Sequence, residues 1–264
     1  MLLETINARF GIPGLYGFML ATSMFAYFIM SGASYLYFFV LKKSRYHPQY
    51  RQDRSVILRS MKWAFISAAG NSALVIPVEL MIIKGNSQVY FDVSEKGWGY
   101  LAVSILLVLV IAETLIYWIH RALHTPWLYQ HLHRFHHQFR EPTPFVSVSF
   151  HPLDAFFQAS PYHLCALFLP VHVWVYHGFI ILAMIWATVI HDRVRLVSTE
   201  LVNHTGCHTV HHWYFGFNYG QFFTFWDRLC GTYRNAACLP EKFAASWPSG
   251  VTARQAIIEE GGGS

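Results

Sequence analysis

The sequence predicts an all-α fold, a multi-pass membrane helical bundle with a histidine-rich cap. Three observations predict it. Only 12% of the 264 residues are charged and 54% are hydrophobic, against roughly 25% charged in an ordinary soluble domain. Long apolar runs recur along the chain. Fifteen of the sixteen histidines lie at or beyond His120, just after the third such run.

The first run, Phe10 to Leu41, contains no Asp, Glu, Lys or Arg, which exceeds the roughly 20 apolar residues needed to cross about 30 Å of hydrocarbon. It is too long for a cleaved signal peptide, and basic residues follow it. Trp63 to Ile83 forms a second span, with its single acid, Glu79, expected at the interface near Lys84. Trp98 to Ile119 forms a third span holding one acid, Glu113. Phe156 to Ile190 again has no charged residue, but Pro161 and Pro170 punctuate it. Proline interrupts helix hydrogen bonding, so two shorter helices in a hairpin are expected. The chain thus divides into transmembrane helices and loops (1–119), a histidine-bearing region including the hairpin at 156–190 (120–240), and a tail (241–264) whose final GGGS reads as an appended linker.

The loop from Lys42 to Lys62 holds seven Lys or Arg against one Asp, whereas Lys84 to Gly97 holds two of each sign. The positive-inside bias puts the first loop in the cytoplasm, so the third span delivers His120 and all that follows to the cytoplasmic side. A net charge of +5 suits an anionic membrane surface and requires no nucleic acid. Four cysteines without a CxxC pair, on that side, argue against a disulfide framework.

Three boxes carry the chemistry. HRALH supplies His120 and His124, HRFHH supplies His133, His136 and His137, and HTVHH supplies His208, His211 and His212. Residues three or four apart share a helix face, so each box projects imidazoles in one direction. Eight imidazoles exceed the four ligands of one tetrahedral metal and point to two metals. Imidazole suits iron, zinc, copper and nickel alike. A basic patch would interleave many more lysines and arginines. A bis-histidine haem protein would place single histidines within the spans, and a transporter would need a polar path through the bilayer. Glu113, Tyr117, His120 and His124 lie on one stripe, so Glu113 either supports a metal ligand by a hydrogen bond or is a protonated or paired intramembrane acid.

The boxes resemble the HX3H, HX2HH, HX2HH pattern of the fatty acid hydroxylase and sterol desaturase superfamily. EPTPFVSVSFHPLDAFFQASPYH, NHTGCHTVHHWYFGFNYGQFFTFWDRLCGTYR, IYWIHRALH and IHD are similar to segments of sterol C-5 desaturases, covering about residues 110 to 235. The resemblance implies an O2-dependent oxidoreductase with two Fe ions, or Zn in overexpressed protein, and the eight box histidines as ligands with His191 as a ninth. It implies a sterol substrate, dioxygen, and electrons from cytochrome b5 or another separate donor. The membrane would be the endoplasmic reticulum in a eukaryote or the inner membrane in a bacterium. A sterol methyl oxidase or lipid hydroxylase of the same superfamily, and a non-enzymatic metal or haem protein, are the alternatives.

Around this set, His151 is a candidate for a further ligand or for a packing or substrate role, and His204, four residues before His208, for a further ligand. Asp154, Asp192 and Asp227 are expected either to orient imidazoles or to form structural ion pairs. Gln158 and Tyr162 are candidates for substrate contact. His163, His172 and His177 read as core or interface residues, His47 as solvated, and His131 as a neighbour rather than a ligand.

Overall fold

The computed structural model describes residues 2–197 and 199–239; the tail assigned to 241–264 lies outside them. Helix α1 (Leu2–Ser34) is kinked at Gly11, ahead of Pro13, and runs on through a wider π-helical stretch, Tyr35–Leu41. Helix α2 (Arg54–Ile83) starts at Asp53, whose carboxylate accepts the Ser55 and Val56 N–H groups that the first helical turn leaves unsatisfied. Helix α3 (Gly97–Leu123) carries the first box at its end. The hairpin follows as α4 (Pro152–Phe168) and α5 (Val173–His191), and the third box lies on α6 (Thr205–Tyr214), ahead of the short α7 (Phe225–Leu229).

Among the described residues, four helical stretches are long and apolar enough to cross a membrane: Leu2–Leu41, Arg54–Ile83, Gly97–Leu123 and Val173–His191. Large apolar side chains such as Phe25, Leu106 and Trp174 face outward, as lipid rather than water requires. Among the described residues there is no strand, only two isolated bridges. The main core joins α2, α3, α4 and α5 through Val78, Val108, Ile116, Tyr162 and Phe179.

Helices α2 and α4 cross closely at Gly70, where a Cβ would stand 2.4 Å from the Pro152 ring. Any larger residue would push apart the two helices that flank the histidines. The basic loop and the histidine boxes share one end of the bundle: Trp63 packs on Phe135 with ring centroids 4.3 Å apart, and Arg59 lies over Phe139.

Two expectations are corrected. Pro161 does not interrupt the hairpin helix; it sits inside α4, where the Ser160 hydroxyl bonds the Phe157 carbonyl at 2.7 Å that proline's missing N–H leaves open. Glu79, one turn before the end of α2, is buried against the hairpin, accepting the Tyr176 hydroxyl at 3.1 Å, and Tyr176 in turn accepts His163 Nδ1–H at 2.9 Å. His47 is buried rather than solvated, stacked 4.0 Å from Phe39; burial and Arg193 push its imidazole down to about 3.

Candidate metal centre

The third span ends at the first box, placing His120 in the last turn of α3 and His124 one turn on, at its C-cap. A proline-started turn, Pro126–Leu128, leads into a π turn, Tyr129–His133, and then a single helical turn, Arg134–His137. This tight segment folds the second box back under the first. Helix α6 brings the third box in from the opposite side.

The nine imidazoles come together in two groups. His120, His124, His133, His137 and His211 form one, and His136, His191, His208 and His212 the other; within each, candidate ligand atoms lie within 4.8 Å of one another. In the group of four, Nε2 of His191 stands 3.0 Å from His208, 3.2 Å from His212 and 3.2 Å from His136, with His208 and His212 3.1 Å apart. In the group of five, His137 Nε2 is 3.0 Å from both His133 Nε2 and His211 Nε2.

Such contacts do not form an ordinary hydrogen-bond network. His191 donates Nδ1–H to the Ala187 carbonyl at 2.6 Å, His120 to Tyr219 at 2.9 Å and His211 to Phe217 at 2.8 Å, and His133 Nδ1 pairs with the Asp154 carboxylate at 2.7 Å. A neutral imidazole that donates from Nδ1 has only a lone pair at Nε2, so His120, His133, His191 and His211 present Nε2 lone pairs to their groups, while the buried Nδ1 atoms of His136, His137 and His212 have no hydrogen-bond partner among the described residues. Nitrogens bound about 2.0–2.1 Å from a metal stand roughly 3.0 Å apart at right angles and about 3.4 Å apart in a tetrahedron. The observed 3.0–3.2 Å fits that range. Burial and the neighbouring rings push His136, His137, His208, His211 and His212 well below the usual histidine range, so these rings are neutral, as metal ligation requires.

The surrounding acids divide between the imidazoles and the backbone. Asp154 does hold an imidazole, with its other oxygen accepting Gln158 Nε2 at 2.7 Å. Asp192 instead accepts the Val194 N–H in the turn after α5. Among the described residues, Asp227 makes no hydrogen bond to a box imidazole and no ion pair with an arginine; it accepts the N–H groups of Tyr219 and Gly220 at 2.8 and 2.9 Å. Glu113 is likewise not bonded to a histidine, and accepts the N–H groups of Gln221, Phe222 and Phe223 at 3.0–3.2 Å.

Two carboxylates thereby satisfy five consecutive N–H groups. The carbonyls of this strap are satisfied as well: Tyr219 by His120, Gly220 by Asn203 Nδ2, Gln221 by Trp186 Nε1 and Phe222 by the Asn203 N–H. Irregular backbone beside a membrane core survives only when its polar groups are satisfied internally. Gly220 is required there, since a Cβ would stand 2.2 Å from the Phe223 carbonyl. The strap's Tyr219 carbonyl in turn orients His120.

His151 and His204 stand outside both groups. Each caps a helix, accepting Leu153 N–H at 3.3 Å and Gly206 N–H at 3.0 Å respectively. His131 is exposed and donates to the Trp127 carbonyl. His172 caps α5 and bonds the Phe91 carbonyl. Phe135, within the second box, packs on Trp63 and His151.

A chamber of about 250 Å³ adjoins the histidines. His120, His133, His136, His191 and His208 form one wall; Tyr27, Asn71, Tyr162, Ile180 and Met184 belong to the membrane-embedded remainder. Phe150, also on the wall, stacks 4.2 Å from His136. Gln158 and Tyr162 do reach the chamber, but the Gln158 amide N–H is committed to Asp154 and the Tyr162 hydroxyl donates to Gln221 at 3.3 Å.

The fatty acid hydroxylase family model matches residues 105–232. Human lathosterol oxidase is 36% identical over 246 residues, 88% of this chain and 82% of that protein. The rat lathosterol oxidase is 35% identical over 238 residues, 85% of this chain and 79% of its own. The Delta(7)-sterol 5(6)-desaturase of Candida albicans is 39% identical over 233 residues, 88% of this chain and 58% of its own. No solved structure matches. With the boxes gathered into two groups and these relatives matched over most of its length, the chain belongs to the fatty acid hydroxylase family.

Proposed function

We propose that this chain is a membrane di-iron sterol C-5 desaturase, introducing a C5–C6 double bond into a 3-hydroxysterol with dioxygen and two external electrons. The observation that carries the reading is the sorting of nine imidazoles, eight of them buried and His124 half-buried, into groups of five and four at the wall of an apolar chamber. The relatives' names supply the substrate class. The five- and four-histidine groups would each hold one iron, with Zn a substitute in overexpressed protein. Iron with dioxygen supplies the oxidising power to remove two unactivated hydrogens.

The chain's own residues do the rest. Asp154 and the carbonyls of Ala187, Phe217 and Tyr219 fix ring orientation, which holds each Nε2 lone pair toward its centre. The hairpin and α1–α2 enclose a rigid apolar ligand and exclude water. Residues 1–119 serve as the membrane scaffold and 120–240 as the catalytic region. The histidine end, which it shares with the basic loop, faces the cytoplasm and meets a separate donor, cytochrome b5 or, in a bacterium, a ferredoxin-like protein. The membrane is the endoplasmic reticulum in a eukaryotic host and the inner membrane in a bacterial one.

Incubating iron-loaded protein with a Δ7-sterol, reductant and oxygen tests the proposal. A conjugated Δ5,7 product supports it. An alcohol without diene would move the chain to the hydroxylases of its family.

A further inference from the structure

The histidine groups have two sides, and the chamber occupies only one. Its wall takes in His120, His133, His136, His191 and His208 but not His124, and His124 is the one member of either group that is not buried. It stands at the C-cap of α3 with its Nε2 buried, so the exposed part of the residue lies on the outer surface. The five-histidine group therefore has an edge open to the outside, whereas all four members of the other group are buried.

Aromatic rings cover that edge. Tyr129 packs on His124 and His137 with ring centroids 5.7 and 5.9 Å away, and Phe215 lies 5.9 Å from Tyr129 and 5.1 Å from His137. Both rings are half-buried. Beside them Trp127, 67% exposed, packs 4.8 Å from the exposed His131.

The charge around the edge has one sign. Residues 121–140 carry Arg121, Arg134 and Arg140 and no Asp or Glu, and residues 205–217 carry no charge of either kind. Arg140 is close enough to Tyr129 to oppose the upward push of burial on its phenol, and Arg234 lies over the Tyr214 and Phe217 rings on either side of Phe215. The next acid in the chain, Glu141, is turned to Arg193.

We propose that the His124–Tyr129 edge is the docking surface of an acidic one-electron donor protein, which delivers electrons to the five-histidine group while the sterol occupies the chamber on the other side. The proposal rests on the desaturase reading above. Loss of two hydrogens from the sterol, with dioxygen, two electrons and two protons, yields the alkene and two waters. Each electron leaves one donor oxidised, so donors dock twice per turnover. Transient redox encounters use small surfaces steered by opposite charge. Electron transfer weakens steeply with distance, and the least-covered imidazole offers the shortest entry.

Binding of the soluble haem domain of cytochrome b5, and of a plant-type ferredoxin, to the full chain in detergent tests this. Arg140→Glu should weaken binding by about fivefold or more at low ionic strength and flatten its salt dependence. Lys42→Glu combined with Arg45→Glu, in the basic loop at the same end of the bundle, should change it by less than about twofold. Hydrogen exchange on the wild-type chain needs no variant: the donor should protect amides within 124–131 and 214–217 and leave 42–54 unchanged. A folded Arg140→Glu variant that binds like wild type, protection over 42–54 in place of this edge, or no binding of either donor overturns the proposal. Diene formation with a chemical reductant needs no docking, so it tests the desaturase reading separately.

Discussion

Removing the Glu113 carboxylate should loosen the metal centre from a distance, through backbone alone. Glu113→Ala strips the acceptor from the N–H groups of Gln221, Phe222 and Phe223, all in a strap that cannot turn to water. At about 1–3 kcal/mol for each buried donor left unsatisfied, and allowing for partial relaxation, the loss is roughly 3–6 kcal/mol. Glu113→Gln is the informative control. Its retained oxygen can keep the three bonds that Oε1 accepts, and its new amide N–H2 meets only the Phe222 N–H on the Oε2 side, so it should cost about 1 kcal/mol. At about 2–4 °C per kcal/mol, the alanine variant should melt roughly 6–12 °C or more below wild type in detergent and the glutamine variant only a few degrees below. Iron content should fall with the alanine variant, because the strap's Tyr219 carbonyl orients His120. If both variants melt together and keep full iron, the strap does not carry the centre and the reasoning is wrong.

Other outcomes follow from the same geometry. Asp154→Asn keeps the volume but weakens the hold on His133 Nδ1, and should lower iron affinity about 10- to 100-fold, read by competition with a chelator. His136→Ala should abolish sterol turnover, His131→Ala should leave it intact, and His172→Ala should retain most activity while lowering the melting temperature by the loss of its helix cap. Acid should release metal and destabilise the fold together. The folded-state pKa values of His47, His136, His208 and His212 are depressed, so the unfolded chain binds more protons once pH falls below about 6.5. Stability present at neutral pH is therefore lost progressively as pH drops below about 6.5, and a melting temperature flat between about pH 7 and pH 4.5 would contradict this.

The helices and the ligand candidates were legible because each left a local mark. Charge-free runs marked the spans, and spacings of three and four placed His120 with His124 and His208 with His211 and His212 on shared faces. His191 became visible through resemblance rather than spacing. What stayed hidden depends on tertiary placement. The carbonyls of Ala187, Phe217 and Tyr219 orient three rings, and a backbone carbonyl has no residue identity to read. Glu113 and Asp227 are recognisable in the sequence as acids near the boxes, but only the fold reveals that they grip one strap. Asp192 sits beside a candidate ligand in sequence and closes a turn in space. His47 lies in a loop of basic residues, a composition that suggests solvent, yet Phe39 and Arg193 enclose it. Pro161 is tolerated because the preceding serine supplies the missing donor, a compensation visible only once both are on one helix.

The central claim is that the nine imidazoles form two separate metal sites, so the most direct measurement is iron per chain after reconstitution, in wild type and in His208→Ala side by side. His208 belongs to the group of four alone. Two irons in the wild type and one in the variant, with no haem absorption in either, is the expected result. One iron in the wild type, or a variant that keeps both, would contradict the account.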